Sequence, residues 1–84
     1  MKRVIIDVTQ QDIEKGVPCS FKKCPLARAC HQQGFPDAII GASYWFPFGD
    51  GRWGRLSKKA KRFTDQFYYG ESVNPDRFAM LYED

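Results

Sequence analysis

"RVIIDVTQQDIEKG", residues 3–16, changes its hydrophobic pattern half-way along. The β-branched run Val4, Ile5, Ile6 and Val8 reads as a strand over 3–9. Its apolar residues fall on both sides of the chain, as in a central strand covered on both faces. Thr9 then caps a short helix, with Asp12 three residues on in a capping-box arrangement and Gly16 at the end. The domain therefore opens as strand and then helix.

The same logic extends along the chain. "VPCSFKK" is a loop, and "CPLARACHQQG" (24–34) is a second helix with Cys24 at the cap, Pro25 at the first helical position and Gly34 just past the end. Leu26, Ala29, Cys30 and Gln33 share one face, and Arg28 points the opposite way. "AIIGASYWFPF" (38–48) reads as a hairpin, or as one strand with a bulge at Gly41, and Pro47 puts its second half toward a sheet edge. After a glycine loop at 49–54, Ser57 caps a helix from Lys58 to about Tyr69 that ends at Gly70. Leu56, Ala60, Phe63 and Phe67 form its apolar stripe. A turn at Asn74-Pro75 leads to a strand from Arg77 to Tyr82, with Phe78, Met80 and Tyr82 on one face and Ala79 and Leu81 on the other.

The expected order is β-α-α-β-β-α-β in one domain spanning residues 1–84. That is an α+β fold, a small and mainly antiparallel sheet packed against two to three helices. Aromatic residues supply 15% of the chain, so a few large side chains are expected to build the core of so short a sequence. No apolar run approaches the roughly 20 residues needed to span a bilayer. The N-terminal apolar segment is also too short for a secretory signal, so a cytoplasmic protein without membrane contact is expected.

Residues 7–17, "DVTQQDIEKGV", and 24–29, "CPLARA", resemble a broad group of small phage-encoded proteins with the patterns V-T-x-x-D-I-x-x-G and C-P-x-A-x-A. Their C-terminal pattern, L-P-x-x-A-x-x-F-x-x-x-F-D-x-G-x-x-V-x-P-x-x-F, is similar to residues 56–78 here, "LSKKAKRFTDQFYYGESVNPDRF". Ser57 stands where that pattern has proline and Tyr68 where it has aspartate, and residues 43–55 fit it least. The shared positions are caps, glycines and core aromatics. The resemblance therefore implies a fold, a phage origin and a host-cell cytoplasmic location, and no catalytic residue. Its context is that of accessory proteins that bind and redirect or inhibit host machinery, anti-defence functions included.

Chemistry-bearing constellations are sparse. Cys19, Cys24, Cys30 and His31 have the spacing C-x4-C-x5-C-H, without the usual C-x2-C knuckle. Neighbours on a helix diverge by about 100°, so Cys30 and His31 do not converge on one ion or form a catalytic dyad. Cys30 reads as a core thiol, and a zinc-supported structural module is the weakest of three readings. Asp7, Asp12 and Glu14 read as a solvated strand end and helix face, with no carboxylate pair for acid–base work. Neither an enzyme nor a bound cofactor is expected, and no metal.

Charge is the informative feature. Residues 49–62 hold six basic groups against Asp50, a local +5 within a chain of +3. Lys58 and Lys59 sit in a first helical turn, where positive charge costs on the order of 0.3–1 kcal/mol each. Asp65 can pair with Lys61 or Arg62 at helical spacing. Tyr44, Phe46 and Trp53 interleave with these cations. The candidate partner- or anion-binding residues are thus Tyr44, Phe46, Arg52, Trp53, Arg55, Lys58, Lys59 and Arg62.

Two functions suit them. The first is docking on a host protein or protein–nucleic-acid complex, which uses Trp, Tyr and Arg as anchors. The second is direct binding of a nucleotide or nucleic acid, with a base stacked on Trp53 and phosphate held by arginine. The plain alternative is a solubilising lysine face with Trp53 folded back over the core.

Overall fold

The computed structural model describes residues 1–83. Its elements are β1 (Lys2–Val8), α1 (Gln10–Lys15), α2 (Pro25–Gln32), β2 (Ile39–Ile40), β3 (Tyr44–Phe46), β4 (Gly54–Arg55), α3 (Lys58–Tyr68) and β5 (Asp76–Tyr82). They form an α+β fold, with β1 and β5 in one antiparallel sheet and β2, β3 and β4 in another. The order is the expected one, with the two-residue β4 added at the end of the glycine loop.

β1 and β5 run in register from Lys2 opposite Tyr82 to Val8 opposite Asp76. Ile6 and Val8 are buried on the inner face together with Phe78 and Met80 of β5. Ile5 and Leu81 are exposed on the outer face. The expectation of a central strand covered on both faces is therefore corrected: β1 has β5 as its one strand neighbour and cover on one side. An apolar side chain on the open face of a two-stranded sheet is tolerated singly, so a continuous β-branched run does not require two-sided burial.

The caps form as their residue types dictate. Thr9 Oγ1 accepts the Asp12 N–H at 3.2 Å, and Asp12 Oδ2 accepts the Thr9 N–H at 3.0 Å. Cys24 Sγ takes the Ala27 N–H at 3.5 Å, and Ser57 Oγ takes the Ala60 N–H at 3.1 Å. α2 ends before Gly34 at φ 109° and α3 before Gly70 at φ 77°, both in the left-handed region that glycine enters without strain.

Asp12 departs from expectation. The sequence pattern places it on a solvated helix face, yet it is 1% exposed. Its second oxygen, Oδ1, accepts a hydrogen bond from Gln32 Nε2 at 2.8 Å and lies 3.8 Å from Arg28 Nε. Both partners belong to α2, so one carboxylate closes the cap of α1 and joins the two helices. At the C-cap of α2, the Asp7 N–H donates to Gln33 Oε1 at 2.9 Å and Gln33 Nε2 donates to the Asp7 carbonyl at 2.7 Å. This pair ties α2 to β1.

β2, β3 and β4 form the expected hairpin extended by one strand, with Ile40 opposite Trp45 and Tyr44 opposite Arg55. β3 lies in the middle of this sheet and stops before Pro47, so proline ends the strand and does not mark a sheet edge. Alternation turns Trp45 inward, where it is fully buried. Its indole meets the rings of Phe35 at 5.6 Å and Tyr82 at 5.7 Å, both edge-to-face, and its Nε1–H donates to the Leu81 carbonyl at 2.9 Å. Gly54 makes that approach possible, since a Cβ there would run into the Leu81 carbonyl oxygen and the Trp45 Nε1. The indole thereby links the second sheet to the first. α3 closes the core from beyond, with Leu56, Ala60 and Phe63 buried and Phe63 edge-on to Phe78 at 5.1 Å.

Candidate functional site

The alternation that buries Trp45 turns Tyr44 outward, and Arg55 faces it across the β3–β4 ladder. The Tyr44 and Trp53 rings stand edge-to-face at 5.1 Å and 87°. Arg55 Cζ lies 5.9 Å from the Tyr44 ring centroid, at the limit of cation–π attraction. Tyr44 is 41% exposed and Trp53 37%, so each ring gives one side to its neighbour and one to water. Trp53 is anchored by its carbonyl, which accepts the Glu83 N–H at 3.0 Å. Phe46 shares the outer face of β3 but is half-buried opposite Ile39.

The cations separate into two kinds. Arg52 is held locally: its backbone N–H, Nε and Nη2 all donate to the Asp50 carboxylate at 2.8–3.2 Å. Its guanidinium lies 3.8 Å above the Phe48 ring. The Arg52 hydrogen bonds hold Asp50 below the ordinary carboxylate range. Lys59 is held by tertiary structure, with Nζ 2.9 Å from Asp76 Oδ1 and 3.0 Å from the Arg77 carbonyl. It keeps Asp76 below its ordinary value. That link stands through neutral pH and is lost as pH falls through the carboxylate range. Lys59 thus fastens α3 to β5.

Lys58, Lys61 and Arg62 make no ion pair among the described residues. They line a shallow depression of about 520 Å³ along α3 together with Asp65, Gln66, Tyr69 and Glu71. Asp65 makes no ion pair with Lys61 or Arg62, contrary to the helical-spacing expectation. Of the residues singled out in the sequence, the structure brings Tyr44, Trp53 and Arg55 together and gives Arg52 and Lys59 carboxylate partners of their own.

The sulfur and imidazole groups are dispersed. His31 Nε2 lies 2.9 Å from the Ala38 carbonyl, and Cys30 is fully buried. Among the described residues no three metal-ligating side chains lie together. Burial pushes the Cys30 thiol up to about 12 and raises Cys24 as well. Each is mostly a neutral thiol at pH 8, with little of the reactive thiolate. A disulfide reagent at that pH is expected to react rapidly with the exposed Cys19, slowly with Cys24, and with Cys30 only in denaturant; counting released chromophore with and without urea checks this.

Sequence reading missed one surface. Phe21, Tyr68 and Tyr69 are strongly exposed and line a groove of about 510 Å³ between the Cys19–Cys24 loop, the β2–β3 turn and the C-terminal half of α3. The available signal was three aromatics outside every apolar stripe. No helix among the described residues is long and apolar enough to cross a membrane. No family model, curated protein or solved structure matches the chain.

Proposed function

We propose that this chain is a non-enzymatic binding protein that docks on a host defence or nucleic-acid-handling component and inhibits it. The observation that carries the reading is the Tyr44–Trp53 pair, half-exposed on a short ladder with Arg55 against it. Trp, Tyr and Arg are the residue types that dominate binding energy at protein interfaces, and rigid rings lose little entropy on contact. In this reading Lys58 and Arg62 supply further positive charge, and Phe46, Arg52 and Lys59 complete the contact set. The phage context and the cytoplasmic setting rest on the resemblance of residues 7–29 and 56–78.

A second reading has the same surface take a nucleotide or nucleic acid, favoured by the open face of the Trp53 ring beside Arg55. The two are separated by capture from an infected-host extract with tagged protein, with and without nuclease. Protein docking is expected to survive nuclease and to lose about 30-fold in affinity on combined Trp53→Ala and Arg55→Ala substitution, as for a hot spot of about 2 kcal/mol. Capture unaffected by both substitutions would overturn the reading. Capture abolished by nuclease, with affinity falling steeply as salt rises, favours the second.

A further inference from the structure

The groove at the far end of α3 takes no part in the function proposed above. Phe21, Tyr68 and Tyr69 are 65, 53 and 73% exposed and converge on it, with Ile40, Phe67 and the half-buried Cys24 along its walls. Single exposed aromatics are ordinary at a protein surface; three around one concavity leave an apolar area that contact would stabilise. The groove is also held in shape. The Phe21 carbonyl accepts the Ile40 N–H at 2.9 Å, and the Lys23 carbonyl accepts the Val17 N–H at 2.8 Å, so the loop carrying Phe21 is fastened to β2 and closed on itself. Tyr68 and Tyr69 stand edge-to-face at 5.0 Å, and the Tyr69 N–H is bonded to the Asp65 carbonyl at 3.0 Å. Little ordering cost remains for binding.

Charge indicates what would lie there. Tyr69 and Asp65 are shared between this groove and the depression lined by Lys58, Lys61 and Arg62, so the two form one track along α3. Asp65 and Glu71 stand at the aromatic end and the unpaired cations over the first two turns. A ligand complementary to the track is apolar at the groove and anionic toward Lys58. From the middle of that cationic group to Tyr68 is eight residues of helix, about 12 Å at 1.5 Å per residue. An extended chain covers that span in about four residues.

We propose that this track binds an extended acidic peptide segment of a partner protein. A bulky apolar side chain sits among Phe21, Tyr68 and Tyr69, and carboxylates about four residues away lie over Lys58, Lys61 and Arg62. Lys58 and Arg62 belong to both proposed surfaces, whereas Tyr44 and Trp53 belong only to the first, so the two proposals fail separately.

The test is a nuclear magnetic resonance titration of the ¹⁵N-labelled full chain. The probe is a synthetic peptide with one phenylalanine and three aspartates starting four residues from it, made in both chain directions. Amide shifts are expected at Phe21, Gly41, Ala42 and Tyr69 and along the first turns of α3. Affinity should fall at least about tenfold when the peptide phenylalanine becomes serine, when its aspartates become asparagines, or in the Tyr68→Ser/Tyr69→Ser variant. Both tyrosines are exposed, so that variant keeps its core. Trp53→Ala is expected to leave the peptide affinity unchanged.

No shifts up to millimolar peptide, or an affinity indifferent to the phenylalanine, would overturn the proposal. So would shifts of the same amides with protein concentration alone, which would make the groove a contact between two copies. Displacement of the peptide from Tyr69 by an oligonucleotide would overturn it in favour of nucleic acid.

Discussion

Trp45→Ala is expected to leave the chain marginally folded at 25 °C, close to its unfolding midpoint. Removing a fully buried indole costs about 3–5 kcal/mol, and a domain this small holds little more than the lower end of the usual 5–15 kcal/mol. The loss is concentrated because one side chain performs three tasks. It fills the core against Phe35 and Tyr82, occupies the middle strand of the second sheet, and satisfies the Leu81 carbonyl of the first. Urea denaturation followed by circular dichroism measures this, with a midpoint lowered by about 3 M or no folded baseline. Trp45→Phe separates volume from hydrogen bonding. It keeps most of the apolar contact and leaves the Leu81 carbonyl without its donor, for about 1–3 kcal/mol.

Gly54→Ala is expected to be nearly as damaging, although it adds a single methyl group. The new Cβ would meet the Leu81 carbonyl oxygen and the Trp45 Nε1 together. Neither can yield, one being backbone and the other a buried ring, so β4 must separate from β5 and the Trp45–Leu81 hydrogen bond goes with it. Overpacking at about 1–3 kcal/mol plus a stranded carbonyl at about 1–3 kcal/mol gives a total of about 2–6 kcal/mol. At about 4–8 °C per kcal/mol the melting temperature should fall by more than about 10 °C. Gly51 is the matched control, because a Cβ there meets nothing within 4 Å. Gly51→Ala should melt within a few degrees of the parent, or slightly above it.

These two effects show where sequence reading succeeds and where it stops. The caps at Thr9, Cys24 and Ser57 and the stripe of α3 were legible, because each is decided by residues within four positions of one another. The inward turn of one of the adjacent pair Trp45 and Phe46 was legible as a necessity; that Trp45 turns in and binds Leu81, 36 residues on, was not. Asp12 was readable as a cap and unreadable as a buried link, since Arg28 and Gln32 lie on another helix. The one-sided cover of β1 depends on how many strands join it, which no local pattern encodes.

The candidate site divides in the same way. Counting charges located the basic segment. The partner of Arg52 is two residues away and within reach of sequence reasoning. The Lys59 partner Asp76 lies 17 positions on, and only the packing of α3 against β5 brings it near. The aromatic groove draws on three separate segments and leaves no contiguous signature.

The paired bonds between Gln33 and Asp7 have a consequence for how the molecule meets copies of itself. In an antiparallel pair the N–H and C=O of alternate residues point away from the partner strand. Since those of Asp7 face Gln33, those of Arg3 and Ile5 face the same way, along the side of β1 that β5 does not cover. The Gln33 amide thus imitates one rung of an added strand and occupies the inner end of that open border. Among the described residues of β1, a chain arriving alongside finds open backbone positions at Arg3 and Ile5, next to the charges of Lys2 and Arg3. Two rungs beside two cations make a poor template for growth, and exposed strand borders are the usual starting point of unwanted association. The glutamine at the end of a helix thereby shortens the strand border left open to added chains, as well as tying α2 to β1.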